Sequence, residues 1–264
     1  MQKVIDKKSI KNIDFNCDLA QAYGIYKNNL ELEILDYVSS VNISCGFHAG
    51  DPVLIKESLL KAKEKNIVIG AHIGFNDIQG FGYRPTDLKD EELESIVIYQ
   101  VGALMSFAKA YGLSIEHVRP HGAMYKMISE DFTKSCVVAK AIQKCSKWLV
   151  YYAPAGDITA KVADYIGIQV AQEIFLEKSY NSDLTIDYSK DDNTNNYELI
   201  KKFQHLIHTS QIQNNLGGVS YIDVDTIHFS NKYKNSIDLI KQAYQTIAPT
   251  PVNYNNAKIS GWVD

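Results

Sequence analysis

The sequence predicts an α/β fold, a distorted seven-stranded (β/α) barrel. Seven apolar runs rich in β-branched residues recur along the chain, and each is followed by a helical pattern, which is typical of parallel strands covered by helices. In the first run Asp14, Asn16 and Asp18 alternate with apolar residues and so share one face of the strand. An open sheet covered on both faces has little room for polar side chains, so a barrel whose interior receives them explains the pattern better.

The seven strands are predicted from short runs that end at Gly, Pro or polar residues. In chain order they are Ile13–Cys17, Val41–Cys45, Ile67–His72, Ile115–Arg119, Trp148–Ala153, Ile168–Glu173 and Val219–Phe229. Length supports one barrel as well, because a chain of 264 residues has an ordinary size for a single α/β barrel. We therefore expect a single domain over residues 1–264.

The helices are predicted from apolar residues that recur at three- and four-residue steps. Asp51 and Pro52 supply an N-cap and a first helical residue, and the longest helix starts near Asp90 and ends at Gly112. The remaining helical patterns cover Leu30 to Val38, Phe132–Cys145, Asp157–Tyr165, Tyr197–Ile212 and Asn235–Ile247. The segment from Asn181 to Asn196 is rich in Asp and Asn and is expected to be a solvated loop or flap.

Composition excludes several classes of function. Apolar residues make up 45% of the chain and charged residues 22%, which is close to globular averages. The net charge is −4, and without a run of Lys or Arg no nucleic-acid surface is expected. The lysine-rich amino terminus lacks an apolar signal region, and no apolar run is long enough to span a bilayer, so we expect a cytoplasmic protein without a membrane partner. The four cysteines show no metal-binding spacing.

Residues that could take part in catalysis or bind a metal ion lie close to the ends of the predicted strands. His48, His72 and His121 each lie at the end of a predicted strand and close to a glycine, which lets a backbone approach a ligand closely. Together with Asp14, Asp18 and Asp51 they would form a carboxylate–imidazole cluster at one end of the barrel. Such a cluster suits general acid–base catalysis or a divalent metal ion, for which Asp14, His48 and His72 are the first candidates. The residues alone do not choose between these two uses.

Three residues need separate interpretation. Asp51 precedes Pro52, so on local grounds a helix N-cap is the favoured role, although a cap can also face the site. His117 lies in mid-strand and is interpreted as a hydrogen-bonded core residue. Arg84 ends a Gly-rich loop, where its guanidinium could hold a carboxylate or phosphate. This loop lacks the Lys-Ser/Thr ending of a P-loop, so it gives little support for nucleotide binding.

Five long motifs give the chain a family resemblance. The strings DFNCDLAQAYG, NISCGFHAGDP, IGAHIGFNDIQGFGYR, YQVGALMSFAKAYG and HVRPHGAMY occur in this order within residues 14–125, and weaker matches follow in YYAPAGD, AQEIF and Asp225-Thr226-Ile227. They resemble the LamB/YcsF family, the A subunits of bacterial ATP-dependent 5-oxoprolinase. The resemblance implies a barrel of the glycoside hydrolase/deacetylase type. It also implies ring opening of 5-oxo-L-proline to L-glutamate with ATP hydrolysis, in partnership with B and C subunits.

The resemblance also assigns roles to individual positions. It places catalytic function at Asp14, Asp18, His48, Asp51, His72 and His121, and substrate binding at Asn16, Asn42, Gln79, Arg84 and Glu173. The implied cofactor is ATP, while the use of a divalent metal ion stays open. In the resulting hypothesis ATP phosphorylates the lactam carbonyl, Asp18, Asp51 or His48 positions water against it, and Arg84 holds an anionic group.

The chain departs from the family pattern at three places. Gln21 stands where the family has Glu, and Leu176-Glu177-Lys178 replaces Ala-Asp-Arg. The stretch from His228 to Tyr233 replaces Cys-Val-His-Gly-Asp-Thr-Pro, so the family's His and Asp are lost there, and Ser230 takes the place of that His. These losses weaken the expected acid–base set and suggest a diverged paralogue. Two alternatives therefore stay open: a metal-dependent carbohydrate or amide deacetylase, and a non-catalytic ligand-binding subunit, which Gln21 and Ser230 favour.

Overall fold

A computed structural model describes residues 12–24, 32–190, 192–193, 195–231 and 235–252. Its strands are β1 Asp14–Leu19, β2 Ser40–Ser44, β3 Val68–Ile73, β4 His117–Pro120, β5 Val150–Pro154, β6 Val170–Phe175, β7 Gln211–Gln213, β8 Val219–Tyr221 and β9 Thr226–His228. Its α-helices are α1 Pro52–Glu64, α2 Asp90–Ala110, α3 Gly122–Glu130, α4 Phe132–Cys145, α5 Asp157–Ile166, α6 Asn196–Thr209 and α7 Ser236–Thr246. None of these helices is long and apolar enough to cross a membrane.

Seven of the strands close into a parallel barrel, as the sequence predicts. The order around the barrel is β1-β2-β3-β4-β5-β6-β9, and β9 closes it because it pairs in parallel with both β1 and β6. The register places Asn16 beside His228 on one side and beside Ser40 on the other. All seven carboxyl ends therefore open on the same end of the barrel, which we call the mouth.

The predicted last strand is wrong in its extent. The run Val219–Phe229 holds two short strands, because β8 pairs in antiparallel fashion with β7 in a separate two-stranded sheet and only β9 joins the barrel. The sequence pattern does not distinguish them, since each strand is only three residues long. The predicted sixth helix is likewise too long, because Ile212 lies in β7.

The other predicted elements follow the structure closely, with two exceptions. The helix α3 after His121 was not expected, because Gly122 reads as a loop residue. The first predicted helix is a short 3₁₀ helix at Glu33–Asp36, while Leu30 lies outside the described residues. Asp51 does cap α1, since its carboxylate accepts hydrogen bonds from the amides of Val53 and Leu54.

Apolar and polar side chains divide between the two sides of the barrel wall. Phe15, Val41 and Ile43 are fully buried and join a hydrophobic core that includes residues of the surrounding helices. The alternating positions of the same strands, such as Asp14, Asn16 and Asn42, are equally buried but form hydrogen bonds with other polar groups of the interior. Burying polar groups is tolerable only if they are paired, so the interior of the barrel is a hydrogen-bonded network rather than a second apolar core.

Candidate functional site

The floor of the barrel interior holds Asp14. Its carboxylate accepts hydrogen bonds from the hydroxyls of Ser39 at 2.5 Å, Ser40 at 2.8 Å, Thr226 at 2.6 Å and Tyr152 at 3.2 Å. Burial raises the pKa of Asp14 to about 6, although the four hydroxyls oppose the shift. Asp14 therefore lies at the amino ends of the strands, away from the histidines with which the sequence groups it.

The middle of the interior is a chain of amides. Asn42 donates from Nδ2 to the Asn16 side-chain oxygen at 2.8 Å and to Asp18 Oδ1 at 3.0 Å. Asn16 in turn donates to Glu173 Oε1 at 2.9 Å. His117 Nε2 lies 2.7 Å from the Asn42 side-chain oxygen, which confirms its expected role as a bonded core histidine. These contacts hold Asn16 and Asn42 as supports beneath the mouth.

The absence of a side chain at Gly70 makes room for His117. A Cβ added at Gly70 would lie only 2.1 Å from His117 Nε2, so the ring occupies the space above the glycine. The other face of the ring stacks on Tyr152 with a centroid distance of 4.0 Å. Gly70 thus lets the interior contain an imidazole where any other residue would exclude it.

At the mouth, Asp18 is the central charged group. Its Oδ2 atom lies 3.3 Å from His72 Nε2 and 3.2 Å from His228 Nε2, and Gln21 donates to the same oxygen at 2.8 Å. Burial would raise the pKa of Asp18, but the nearby His72, His228 and Arg119 hold it well below its usual range. Asp18 is therefore an ionised carboxylate in a buried setting.

Arg119 and Glu173 form a buried ion pair beside Asp18. Arg119 Nε lies 2.8 and 2.9 Å from the two Glu173 oxygens, and one terminal nitrogen lies 3.4 Å from Asp18 Oδ1. The guanidinium also faces the rings of Tyr125 and Phe175 at 5.1 and 5.5 Å. Burial alone would lower the pKa of Arg119, but the two carboxylates raise it, so this cation is permanent.

His72 and His121 form a pair of rings held between two backbone carbonyls. His121 Nδ1 lies 3.0 Å from His72 Nε2, His72 Nδ1 lies 3.1 Å from the Arg119 carbonyl oxygen, and His121 Nε2 lies 2.8 Å from the Phe81 carbonyl oxygen. We call this pair the histidine dyad. Both rings are buried.

The dyad in its neutral form has one proton fewer than its three hydrogen bonds require. Carbonyl oxygens only accept hydrogen bonds, so both outer nitrogens must carry a proton, and the bond between the rings requires a third. Two neutral imidazoles supply only two. Burial lowers the pKa of His72, and burial together with His72 lowers that of His121 well below its usual range, so the dyad is neutral near pH 7. A neutral dyad therefore leaves one of its three hydrogen bonds without a proton.

His48 completes a group of three buried histidines. A nitrogen of His48 and one from each ring of the dyad lie within 4.8 Å of one another, which is a spacing that a metal ion could bridge. However, the rings of His48 and His121 are stacked, 4.1 Å apart and 12° from parallel. A metal ion lies in the plane of each imidazole that binds it, so these two rings cannot share an ion without rotating. The arrangement therefore does not fit a three-histidine metal centre, and Asp14 is too deep to be a ligand beside it.

The loop from Gly74 to Arg84 covers the dyad. Its Phe81 carbonyl meets His121, and a Cβ at Gly82 would lie 2.8 Å from the His48 Cβ and 2.9 Å from a His121 ring carbon. Arg84 forms an ion pair with Asp77 and lowers the pKa of that carboxyl to about 2, while its side chain is 63% exposed. Gln79 is exposed on the same loop. The structure therefore places Gln79 and Arg84 at the surface above the cluster and not within it.

Asp51 also lies outside the cluster. Besides capping α1, it accepts a hydrogen bond from the Gly24 amide at 3.0 Å. These backbone hydrogen bonds, that of Leu54 foremost, lower its pKa. Its observed contacts are structural, and they fasten the segment that follows β1 to the start of α1.

Sequence reasoning missed Arg119 and His228 as site residues. A signal was present for Arg119, because it alternates with His117 and His121 and must share their side of the strand. The signal for His228 was weaker, since the boundary of β9 could not be placed. The sequence did single out Gln21, but as a lost carboxylate, whereas its amide is a hydrogen-bond donor to Asp18.

Comparison with known proteins agrees with this architecture. The model of the LamB/YcsF family matches residues 13–260. The chain belongs to the LamB/YcsF family. Among solved structures, this LamB/YcsF chain resembles the lactam utilization protein from Thermus thermophilus, with a TM-score of 0.84, 29% identity, and coverage of 90% of this chain and 99% of that one.

Two curated relatives of this LamB/YcsF chain share one name. The A subunit of 5-oxoprolinase from Bacillus subtilis (strain 168) is 44% identical over 174 residues, which are 66% of this chain and 68% of the relative. The A subunit of 5-oxoprolinase from Bacillus mycoides (strain KBAB4) is 35% identical over 238 residues, which are 89% of this chain and 94% of the relative. The match therefore extends over both the histidine dyad and the last barrel strands.

Proposed function

We propose that this protein is the A subunit of an ATP-dependent 5-oxoprolinase, and that it opens the lactam ring of 5-oxo-L-proline to give L-glutamate. The names of its relatives and of the solved lactam utilization protein support this assignment. The observation that carries it within the structure is the proton deficit of the histidine dyad beside an ionised Asp18. A neutral buried base next to a fixed negative charge is suited to activating water for hydrolysis of an amide.

The dyad supplies the general base in this proposal. When water adds to the lactam carbonyl carbon, its proton moves to the dyad and fills the position that lacks one. The positive charge that results is stabilised by Asp18, whose Oδ2 atom lies 3.3 Å from His72 Nε2. His72, His121 and Asp18 therefore act as one unit, while Asn42 and Gln21 orient the carboxylate.

ATP and the partner subunits belong to the same proposal. A lactam carbonyl is a poor electrophile, and phosphorylation of its oxygen by ATP would make the carbon easier to attack. The relatives are named as one lettered subunit of an enzyme, which implies further subunits, and B and C subunits are the expected partners. Arg84 and Gln79, which are exposed on the loop above the dyad, would contact an anionic group that arrives from outside. In this arrangement Asp51 and Asp14 have supporting roles.

The test is a reconstituted assay. The chain is mixed with its partner subunits, ATP and 5-oxo-L-proline, and L-glutamate and inorganic phosphate are measured together. We expect both products in equal amounts, and a loss of about 10²–10⁴-fold in kcat for His72→Asn. The exposed His208 on α6 provides the matched control, His208→Asn, which should keep full activity. Absence of glutamate from the complete mixture would contradict the proposal.

A metal-dependent deacetylase is the second candidate, because three histidine nitrogens lie within 4.8 Å of one another. Metal analysis of the purified protein and an assay with N-acetylated sugars separate the two functions. A stoichiometric bound metal together with acetate release would favour the deacetylase. The stacked rings of His48 and His121 lead us to expect neither.

A further inference from the structure

His228 is a buried imidazole whose hydrogen-bonding capacity is unused. It is 5% exposed, and neither of its ring nitrogens has a hydrogen-bond partner among the residues that the structure describes. Its Nε2 atom lies 3.2 Å from Asp18 Oδ2, within ion-pair distance of that carboxylate. An unpaired buried polar group is destabilising, and such groups are uncommon unless a ligand completes them.

The position of His228 mirrors that of His72. It lies at the carboxyl end of β9, on the interior side, and the same Asp18 oxygen lies 3.2 Å from His228 Nε2 and 3.3 Å from His72 Nε2. One carboxylate oxygen therefore stands between two imidazoles. Phe175 packs against the His228 ring with a centroid distance of 5.1 Å and limits its rotation.

The charges around His228 are predominantly negative. Asp18 on β1 and Glu173 on β6 are held ionised, since Arg119 lowers the pKa of Glu173 against the effect of burial. Glu177, which follows β6, also faces His228, and its burial raises its pKa. Arg119 is the one permanent cation among these groups. Two ionised carboxylates and one guanidinium therefore leave a net negative charge around the His228 ring.

We propose that His228 is the general acid of ring opening and that it donates a proton to the lactam nitrogen. This inference rests on the proposed function. In the step, the oxygen of water forms a bond to the carbonyl carbon and its proton passes to the histidine dyad. The C–N bond then breaks, its electron pair goes to nitrogen, and nitrogen takes the proton of His228. The remaining hydroxyl proton passes to solvent as the carbonyl re-forms, so the products of this step are an acyl phosphate and a primary amine. A second water then splits the acyl phosphate into a carboxylate and inorganic phosphate, so atoms and charge balance with the use of one ATP.

The chemistry of an amide explains why a second imidazole is required. An amide nitrogen leaves as a very strong base unless it is protonated while the C–N bond breaks, so an acid must be in place before cleavage. The dyad is neutral and takes up a proton, hence it cannot serve as this donor in the same step. His228 lies on the other side of Asp18, where it can act on the nitrogen while the dyad acts on water.

The test compares His228→Asn with wild type in the reconstituted assay, with His208→Asn as control. Asparagine keeps a polar side chain without an acidic proton at neutral pH. We expect kcat to fall about 10²–10⁴-fold with little change in KM, and the alkaline limb of the pH profile, which reports the acid, to disappear. His228→Phe should be equally inactive, and circular dichroism should show that both variants are folded.

A substrate analogue separates an acid from a structural residue. In the γ-lactone that carries oxygen in place of the ring nitrogen, the leaving alkoxide depends much less on protonation. The loss caused by His228→Asn should therefore be at least tenfold smaller with the lactone, whereas the loss caused by His72→Asn should be similar for both substrates. Equal losses on lactam and lactone, or an unchanged alkaline limb, would overturn the role of His228 and leave the proposed function intact. An inactive wild-type complex would overturn the function and this inference with it.

Discussion

His72 Nε2 lies 3.0 Å from His121 Nδ1, and the outer nitrogen of each ring faces a backbone carbonyl oxygen. The carbonyl oxygens at both ends of this row of hydrogen bonds can only accept a hydrogen bond. The number of protons on the two rings therefore determines whether all three hydrogen bonds exist. Catalytic histidines are usually oriented by a carboxylate or a carbonyl at one end only. Here the two carbonyls hold a pair of rings that lacks one proton.

The first prediction concerns the proton affinity of the dyad. Asp18 raises the pKa of His72 against the larger effect of burial, so Asp18→Asn should lower the pKa of the dyad further. Nitrogen-15 spectra of labelled histidine, recorded across pH, measure this directly. The exposed Asp157 provides the control, and Asp157→Asn should leave the dyad unchanged. A dyad whose titration does not move in Asp18→Asn would show that the carboxylate is not its counter-ion.

The second prediction concerns acid sensitivity. Burial lowers the pKa of His117 to about 3, whereas an unfolded chain would have about 6.5, so the unfolded state binds the proton first. The contribution of His117 is complete above about pH 6.5 and is lost as the pH falls towards 3. Between pH 6.5 and 5 this amounts to at most about 2 kcal/mol. Urea unfolding at both pH values should show a smaller loss for His117→Gln than for wild type.

The third prediction has the opposite sign. The pKa of Asp14 is raised to about 6, so the folded state binds this proton more tightly than the unfolded chain does. Its contribution is largest below about pH 4 and is lost as the pH rises through 6. Asp14→Asn should remove this dependence, so the difference in free energy of unfolding between variant and wild type should change between pH 4 and 7. A difference that is constant with pH would mean that Asp14 stays ionised in the fold.

The fourth prediction concerns the space above Gly70. In Gly70→Ala the new Cβ would meet the His117 ring, and overpacking of this kind typically destabilises by about 1–3 kcal/mol. Gly102 lies within α2 with nothing within 4 Å of an added Cβ, so Gly102→Ala should be neutral or stabilising. Thermal unfolding measures both. The double variant Gly70→Ala, His117→Ala should recover part of the loss, and additive losses would place the clash elsewhere.

The fifth prediction concerns Gln21. Its amide donates to Asp18 Oδ2, so Gln21→Glu would bring a second carboxylate to an oxygen already shared by two histidines. Like charges at this distance raise the pKa of one of the pair. We therefore expect reduced stability near pH 7 and recovery at lower pH, with no gain in the reconstituted activity. A higher kcat in Gln21→Glu would show that the carboxylate is the more competent group.

The barrel could be predicted because the pattern that indicates it lies within a few neighbouring residues of the sequence. Alternation of Asp14, Asn16 and Asp18 with apolar neighbours requires an interior that accepts polar groups, and any such strand reveals this by itself. Asp14 was misplaced because alternation defines a face of the strand and says nothing about depth along it. One face of a strand extends over the whole depth of the barrel. The depth of each carboxylate therefore depends on where the neighbouring strands begin and end.

The partners of Asp18 depend on contacts between residues far apart in the chain. Arg119 lies 101 positions from Asp18, and Asn231, which donates to the Asp18 carbonyl, lies 213 positions away. No local pattern reports such pairings. For His228 the difficulty was the short β9, whose three residues are too few to show a period and were merged with β8.

The carbonyl of Phe81 belongs to a loop, so the number of protons that the dyad needs depends on the position of that loop. If that loop moved away from His121, the chain would end on one carbonyl, and two protons would satisfy both remaining hydrogen bonds. With the loop back in place, the Phe81 carbonyl oxygen faces a His121 nitrogen that carries no proton. A third proton is then needed to form all three hydrogen bonds of the dyad. The proton affinity of the two rings therefore depends on the position of a single peptide group, that of Phe81.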